Sequence, residues 1–295
     1  MVDDIYKYEE WETATNALEI WIEDWFFVLA MALFAIEFMV LVLRGRSFLR
    51  LLGNALASFS TLFAHLLTVM FTAFAWIGAL YFAYYITPLD LGFSWAVFGL
   101  AVLLADLAYY VEHRVAHRTG IGWATHSVHH SSPEYNLSAA YRHGPMDAFF
   151  GIPFHVPLVL LGINPIIVIF AGSMVQLYQT LLHTEMVNRL PRWFEGVFNT
   201  ASHHRVHHGS NPEYLDKNYG GILILWDRVF GTFEPERREV VYGLVKPMES
   251  NNPFKVYFHG LSRLAREVQS TQGWRKKLKV LTKPPGWSAT IESQS

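Results

Sequence analysis

The longest uninterrupted apolar stretch of the chain, residues 63–86, places the tightest limit on its fold. It reads FAHLLTVMFTAFAWIGALYFAYYI, contains no charged side chain and ends in an aromatic run. It exceeds the roughly 20 mainly apolar residues that a helix needs to cross a bilayer. In lipid a single segment can satisfy its backbone hydrogen bonds only as a helix, so this stretch predicts a transmembrane helix.

Three other apolar stretches extend this prediction. Residues 25–43 carry Glu37 as their single charge, and residues 91–107 end where polar residues begin. Residues 149–182 are interrupted by prolines and a GINP turn, so each arm looks too short to cross and we expect a helical hairpin that enters and leaves one face. Charged residues make up 16% of the chain, against about 25% in soluble domains. We therefore predict an all-α integral membrane protein with about three transmembrane helices plus this hairpin.

Basic residues in short loops predict the orientation. Arg44, Arg46 and Arg50 follow the first span, and such residues favour the cytoplasmic side. The third span then returns to the cytoplasm, and a hairpin keeps everything after residue 182 on that side. The expected location is a multi-pass membrane protein with a cytoplasmic histidine-rich cap, in the inner or plasma membrane of a bacterium or the endoplasmic reticulum of a eukaryote.

The same features divide the chain into regions. The net charge is −2, which gives no reason to expect a nucleic-acid partner. The first residues are acidic and lack a basic n-region, so we do not expect a cleaved signal peptide. The predicted regions are an acidic N-terminal segment (1–24), transmembrane helices (25–107), a catalytic region (108–258, including the hairpin 149–182) and a C-terminal tail (259–295).

Histidine is concentrated in short polar segments. Of 14 histidines in 295 residues, five lie between residues 113 and 130 and four between residues 203 and 208. Residues 113 and 117 are four apart, so on a helix both imidazoles project from one face. Two HxxHH boxes, HSVHH and HRVHH, follow the HxxxH box. Together the boxes supply eight imidazole donors, enough for two metal ions with open positions: His113, His117, His126, His129, His130, His204, His207 and His208.

A ninth candidate ligand, His183, ends the second arm of the hairpin. Gln179 lies four residues earlier, so both side chains could point toward the same site; an interface histidine is the alternative. Whether Gln179, His143 and His203 join the site stays open. We interpret His65 and His155 as hydrogen-bonded core residues rather than haem ligands.

Two other polar residues have alternative interpretations. His259 is interpreted as a surface residue. Asp106, seven residues before His113, either accepts a hydrogen bond from a ligand or is merely a charge near a helix end.

The residue types restrict the metal only in part. The chain contains no cysteine, which excludes disulfides, thiolate zinc sites and iron–sulfur clusters. Imidazole suits iron, zinc, copper and nickel. Zinc has no redox chemistry, so a site that activates oxygen requires iron or another redox metal. Electrons would have to come from a separate donor or a pterin.

With the boxes in place, the chain resembles the fatty acid hydroxylase and sterol desaturase superfamily. HRVAH, HSVHH and HRVHH correspond to its HxxxH, HxxHH, HxxHH signature. The stretches HSVHHSSPEYNLSAA (126–140), HTE (183–185) and NTASHHRVHHGSNPEYLDKNYGGILILWDRVFGTFEPE (199–236) look like the alkylglycerol monooxygenase branch. The resemblance covers roughly residues 90–258.

That resemblance implies a function and a set of ligands. It implies an oxidoreductase with two iron ions that uses O2 to hydroxylate the carbon beside the ether oxygen of a membrane lipid, with tetrahydrobiopterin as reductant. It also implies that the eight box histidines and His183 bind the metals. This chain is shorter than the animal enzyme and carries His143 in the segment YRHG, where that branch is not expected to have a histidine.

Two other functions are compatible with the same residues. A sterol desaturase or a fatty-acyl hydroxylase would use the same boxes. A metal-binding membrane scaffold or a transporter is the non-enzyme alternative. A transporter would need ionisable residues within its spans, and Glu37 is nearly alone there.

Overall fold

The computed structural model describes residues 25–248 and 250–287. The acidic segment expected at residues 1–24 and the end of the tail therefore lie outside the described residues. The chain divides into two units after Ser47. In the first unit, helix α1 (Phe27–Leu43) is 17 residues long and almost entirely apolar. It matches the first predicted span but falls among the shorter apolar helices of the described chain.

The second unit is built from helices and loops. The described residues include two isolated antiparallel β-bridges, Phe198 with Leu223 and Gly209 with Tyr242. Short 3-10 turns cover His129–Ser131 and Leu137–Tyr141. In chain order the helices are α2 (Phe48–Ile86), α3 (Trp95–Arg118), α4 (Gly120–His126), α5 (Asp147–Phe150), α6 (Ile152–Leu160), α7 (Pro165–Leu182), α8 (Arg192–Glu195), α9 (Ala201–His207), α10 (Leu225–Val229), α11 (Pro253–Ser270) and α12 (Trp274–Thr282).

Among the described residues, three helices are long and apolar enough to cross a membrane. They are α2, α3 and α7. We predicted an all-helical chain with three such helices, but the three helices are not the same ones. The structure includes α7 among them, whereas we predicted the helix at residues 25–43. Our expectation that each hairpin arm is too short to cross is wrong for α7, which has 18 residues.

Helix α2 extends well beyond the predicted span. It has 39 residues and is therefore about 58 Å long at 1.5 Å per residue, roughly twice the hydrocarbon thickness. Its first half carries Asn54 and Ser58, which are buried. Both bind the buried Arg142: the Nη2 atom donates to Asn54 Oδ1 at 2.8 Å and the Nε atom to Ser58 Oγ at 3.2 Å. This part of α2 thus contacts the polar segment that carries Arg142.

The hairpin formed by α6 and α7 extends along the long helices as far as the loop between α2 and α3. At its tip, the Gly162 carbonyl accepts a hydrogen bond from the backbone N–H of Leu91 at 2.9 Å. The Thr87 hydroxyl donates to the Leu160 carbonyl, also at 2.9 Å. Both partners lie in the loop between α2 and α3. The tip therefore lies level with that loop and is not held near the histidine-rich end.

The apolar core lies between α2, α3, α6 and α7. Leu80, Ala101, Val159 and Val168 have no measurable exposure, and alanines along α3 let the hairpin approach closely. Large apolar side chains point outward elsewhere; Phe74 is 89% exposed. An exposed apolar surface of this kind fits contact with lipid.

The C-terminal helices pack against α4. Gly260 of α11 approaches so closely that a Cβ there would overlap the carbonyl oxygen of Ala124, and Val280 of α12 joins the same small core. The boundary expected at residue 258 lies inside α11. Our surface interpretation of His259 is wrong, because its ring is half-buried with Nε2 3.2 Å from the Ser127 hydroxyl.

Candidate metal centre

The nine histidines singled out from the sequence meet in two groups. In each group, one ring nitrogen of every member lies within 4.8 Å of those of the others. The five-histidine cluster contains His113, His117, His126, His130 and His207. The four-histidine cluster contains His129, His183, His204 and His208. Each cluster thus offers more than the three ligands that a metal site requires.

Local structure explains how distant positions meet. Residues 113 and 117 project from one face of α3, as their spacing predicts. The chain then reverses: Thr119 caps α4, and its hydroxyl accepts a hydrogen bond from the Gly122 backbone N–H at 3.2 Å. This turn returns His126, the last residue of α4, to the end of α3. Its Nε2 atom lies 3.0 Å from His113 Nε2.

Consecutive histidines of each HxxHH box point into different clusters. His129 joins the four-histidine cluster and His130 joins the five-histidine cluster. His207 joins the five-histidine cluster and His208 joins the four-histidine cluster. Successive residues of a helical turn project about 100° apart, so a neighbouring pair can face two sites. The first half of the sequence therefore builds most of the five-histidine cluster and donates His129 to the four-histidine cluster. The second half builds most of the four-histidine cluster and donates His207 to the five-histidine cluster.

The outer nitrogens of the five-histidine cluster are held by the loop before α10. His113 Nδ1 donates to the Tyr219 carbonyl at 3.0 Å, and His207 Nδ1 donates to the Lys217 carbonyl at 3.0 Å. His117 Nδ1 lies 3.6 Å from a carboxylate oxygen of Asp216. Since a carbonyl only accepts, the proton sits on Nδ1 of His113 and His207 and leaves Nε2 free to bind a metal.

Two outer nitrogens of the four-histidine cluster bind backbone carbonyls. His183 Nδ1 donates to the Gln179 carbonyl at 2.8 Å, and His129 Nδ1 donates to the Arg142 carbonyl at 3.3 Å. Neither of these partners carries charge. Again the inner Nε2 atoms are left with their lone pairs.

The inner nitrogens fit a bound cation. His129 Nε2 and His183 Nε2 lie 3.1 Å apart, although both carry their protons on Nδ1. Two lone pairs at this distance repel unless a positive ion lies near both. In the described chain, the buried Nε2 atoms of His117 and His207 have no hydrogen-bond partner. Such unpaired buried groups are costly in a protein interior, so the donor set fits a metal ion.

The rings within each cluster meet at steep angles. Within each cluster the contacting rings meet at 50° to 90°. Two pairs that join the clusters stack nearly parallel: His130 with His208 at 20° and His204 with His207 at 21°. Two other pairs that join the clusters meet edge to face, His129 with His130 at 86° and His207 with His208 at 87°. The division into two clusters therefore rests on the distances between the ring nitrogens.

Burial keeps the histidines neutral. It lowers the pKa of His183 to about 4. It also lowers, with the help of nearby imidazoles, the pKa of the cluster histidines of both HxxHH boxes well below the usual value of 6.5. Neutral imidazole is the form that binds metals.

Two buried carboxylates fix the loop over the five-histidine cluster. Asp227 accepts hydrogen bonds from the backbone N–H groups of Tyr219 and Gly220 at 2.8 and 2.7 Å. Asp106 binds the backbone N–H groups of Ile222 and Leu223. These contacts correct both alternatives for Asp106: it supports the segment that carries the acceptor carbonyl for His113, and it is not a solvated charge at a helix end.

A cavity of about 170 Å³ opens beside both clusters. His113 and His126 of one cluster and His129 and His183 of the other line its wall. Its remaining lining comes from α2, α3, α4, α5, α7 and the segment 140–143. A small molecule in this cavity would lie against both candidate metal sites.

Four other histidines considered in the sequence analysis fall into two sets. His155 bonds the Gly151 carbonyl, as expected of a core residue, and His203 contacts Phe233 instead of the clusters. His65 and His143 instead form a third group with Asp147. Sequence reasoning missed this group because His65 lies far along the chain from His143 and Asp147, and it missed the role of Asp216 because that residue lies far along the chain from His117.

Comparisons with known proteins agree with the histidine pattern. Residues 98–232 match the fatty acid hydroxylase family. Alkylglycerol monooxygenase of Homo sapiens is 44% identical over 200 residues, which cover 68% of this chain and 44% of that protein. The chain therefore spans less than half the length of this relative. No solved structure matches the chain.

The names of more distant relatives indicate other lipid substrates. An ornithine lipid hydroxylase of Rhizobium tropici is 30% identical over 135 residues, covering 45% of this chain and 40% of that protein. Human lathosterol oxidase is 25% identical over 153 residues, covering 49% of this chain and 50% of that protein. The region that is shared with these proteins thus occurs with several lipid substrates.

Proposed function

We propose that this chain, whose residues 98–232 match the fatty acid hydroxylase family, is a membrane-bound, O2-dependent monooxygenase that cleaves alkylglycerol ether lipids. The observation that carries the proposal is the meeting of nine histidines in two clusters beside one cavity, whose wall includes two histidines of each cluster. The 44% identity to human alkylglycerol monooxygenase supports the ether-lipid substrate. The expected products are a fatty aldehyde and the freed glycerol.

We assign two iron ions to the two clusters. The five-histidine cluster would hold one and the four-histidine cluster the other, with all nine histidines as ligands. Imidazole suits iron, and zinc alone could not support redox chemistry. When bound, the iron pair would supply the activation of oxygen and the oxidation of the C–H bond, which protein side chains cannot perform.

The protein's own contribution is orientation and exclusion of water. Backbone carbonyls of Tyr219, Lys217, Gln179 and Arg142 fix the rings through their Nδ1 protons. Such supporting partners typically change metal affinity or activity by about 10- to 100-fold when removed. The cavity lies at the polar end of the apolar helices, so a lipid can place its ether group beside the clusters.

The substrate is expected to enter from the bilayer between the hairpin and α3. Each buried methylene stabilises an alkyl chain by about 0.8 kcal/mol, so the chain has no reason to leave the apolar phase. The outward apolar side chains of α2, α3 and α7 would keep this region in the membrane. The reductant, a tetrahydrobiopterin or a separate electron donor, would approach from the polar side.

We also propose that the histidine-rich face is cytoplasmic, on the strength of Arg44, Arg46 and Arg50. The hairpin tip and the α2–α3 loop then face the opposite compartment. Reporter fusions after Asp90 and after Ser210 test this topology. A cytoplasmic signal at Asp90 or an external signal at Ser210 would overturn it.

Turnover of a labelled lipid tests the reaction. Membranes containing the protein receive a labelled 1-O-alkylglycerol, O2 and tetrahydrobiopterin, and fatty aldehyde is measured. Aldehyde should form with the wild type and with the control His155→Phe, and should be abolished by His129→Ala, which removes one of the four imidazoles of the smaller cluster. Failure to form aldehyde, together with oxidation of a sterol or an ester-linked acyl lipid by the same membranes, would replace the ether-lipid assignment with one of those reactions.

A further inference from the structure

A third polar group lies on the wall of the same cavity. Three residues each bring one side-chain nitrogen or oxygen atom within 4.8 Å of those of the other two. They are His65 of α2, His143 of the loop before α5, and Asp147 of α5. All three line the cavity that His113, His126, His129 and His183 also line. None of them belongs to either histidine cluster. Their position beside the candidate metal sites calls for a separate role.

Ring geometry argues against a third metal ion in this group. Histidines that share a cluster meet at 50° or more, but His65 and His143 stack with centroids 4.5 Å apart at 20°. This angle equals that of the His130–His208 pair, whose members belong to different sites. The group therefore has the arrangement of neighbouring rings and not of rings that share an ion.

The group is held in a fixed arrangement. Asp147 accepts a hydrogen bond from the Thr125 hydroxyl at 2.6 Å and another from the Gly144 backbone N–H at 2.6 Å. His143 Nδ1 lies 3.7 Å from the same carboxylate. Gly144 is required for this close approach, since a Cβ there would overlap Thr125. Fixed polar groups on a cavity wall are suited to binding a ligand in one orientation.

Two polar atoms on the cavity wall remain without partners. His65 Nδ1 and Gln179 Oε1 are buried, and neither has a hydrogen-bond partner in the described part of the chain. The Gln179 side chain is 4% exposed and is fixed by its Nε2 atom, which donates to the Gly220 carbonyl at 3.0 Å. An unpaired buried polar atom costs roughly 1–3 kcal/mol, so both atoms favour a ligand that brings hydrogen-bonding groups.

We propose that His65, His143, Asp147 and Gln179 bind the free hydroxyl groups of the substrate's headgroup and so position its ether carbon. This inference rests on the proposed function. A hydroxyl both donates and accepts, so it can pair with the Gln179 carbonyl oxygen and with an imidazole. The Asp147 carboxylate lines the same cavity and can accept a hydrogen bond from a further hydroxyl. The ligand of these four residues is therefore a headgroup that carries free hydroxyls.

Kinetics with a matched pair of ethers test the assignment. The substrates are 1-O-hexadecylglycerol and its 2,3-di-O-methyl derivative, which cannot donate hydrogen bonds. The wild type should prefer the diol about tenfold in KM, the size of effect expected from one or two hydrogen bonds. His143→Phe keeps a ring to stack on His65 but loses the polar nitrogens. It should raise KM for the diol about tenfold and leave kcat, metal content and KM for the dimethyl ether unchanged.

The control is His155→Phe, which replaces a half-buried histidine outside this cavity and should retain the diol preference. The assignment is overturned if His143→Phe also retains the preference, if it impairs both ethers equally, or if it removes one metal ion per chain. Wild-type membranes that release aldehyde from neither ether would overturn the proposed function itself, and the headgroup assignment with it, before any variant is compared.

Discussion

The five-histidine cluster and the four-histidine cluster use one residue type but differ in what holds the rings. The first has an anionic partner, Asp216, beside His117, as well as backbone carbonyls. The outer contacts of the second, at His129 and His183, are made to neutral carbonyls. A six-coordinate ion would keep one open position in the first cluster and two in the second. We infer that the five-histidine cluster holds its metal more tightly and that the four-histidine cluster is the more reactive site.

Removal of one ligand from each cluster should give the largest contrast. His183→Ala leaves three imidazoles, the minimum for a metal site, so its cluster should hold its ion much more weakly and activity should fall more than about 100-fold. His126→Ala leaves four imidazoles in the other cluster, which should keep its ion with a loss of about tenfold. Metal content per chain and aldehyde formation, measured on the same preparations, check this. Equal losses in the two variants would break the proposed difference.

The metal-free protein should lose stability as the pH falls. Burial holds the pKa of His183 near 4 and lowers that of His126 well below its usual range, while an unfolded histidine titrates near 6.5. Below about pH 6.5 the unfolded chain takes up protons that the folded clusters do not. Each such histidine then removes up to about 1.4 kcal/mol of unfolding free energy per pH unit.

Chemical denaturation of metal-free protein in detergent at pH 7 and pH 5 measures this dependence. His126→Gln and His183→Gln each remove one titrating ring and should flatten it to a similar degree. An unchanged stability between the two pH values would contradict the neutral, buried state of both clusters.

Replacement of the anionic partner should affect one cluster alone. Asp216→Asn removes the charge beside His117 and should weaken metal binding by the five-histidine cluster about tenfold. Asp216 has a φ of 60°, a conformation that asparagine tolerates, so the backbone should be retained. Glu213→Gln is the control, because Glu213 pairs with Arg238 at 3.7 Å and is exposed. Competition with a chelator measures both affinities; weaker binding in the four-histidine cluster would count against the assignment.

Arg118 offers the smallest effect. Its Nη1 atom donates to Asp216 at 2.7 Å, but the side chain is 52% exposed. Exposed ion pairs contribute roughly 0–1 kcal/mol. Arg118→Gln should therefore weaken metal binding by the five-histidine cluster less than about threefold and leave the other cluster unchanged. The same chelator assay detects this, and a loss as large as that of Asp216→Asn would show that Arg118 and not Asp216 orients His117.

Regular spacing explains which features the sequence could predict. The four-residue interval from His113 to His117 and the HxxHH boxes repeat at helical periods, so a shared face could be inferred from the order of residues alone. The partition of each box between two clusters could not, because it depends on how α4 and α9 are turned relative to α3. The long apolar stretches likewise predicted helices but not which of them reach full length.

Features that depend on contacts between distant segments escaped prediction. From the sequence alone, the first half of α2 was interpreted as a loop followed by the start of a span. Its Asn54 and Ser58 bind Arg142, which lies more than 80 residues away along the chain and could not be recognised as their partner. His65 looked like a core residue for the same reason. His143 and Asp147 come to its side only once α2 lies against the loop before α5.

The exchange of histidines between the two halves of the chain has a consequence for the hairpin. The ligands on one side end at His130 and those on the other begin at His183, so bound ions would cross-link the chain on either side of α6 and α7. A cross-link stabilises a fold by restricting the unfolded chain, and more so for a longer loop. Each ion would then act as a staple that ties the membrane-embedded hairpin to the polar region, and the apolar helices could loosen in detergent without the hairpin being released.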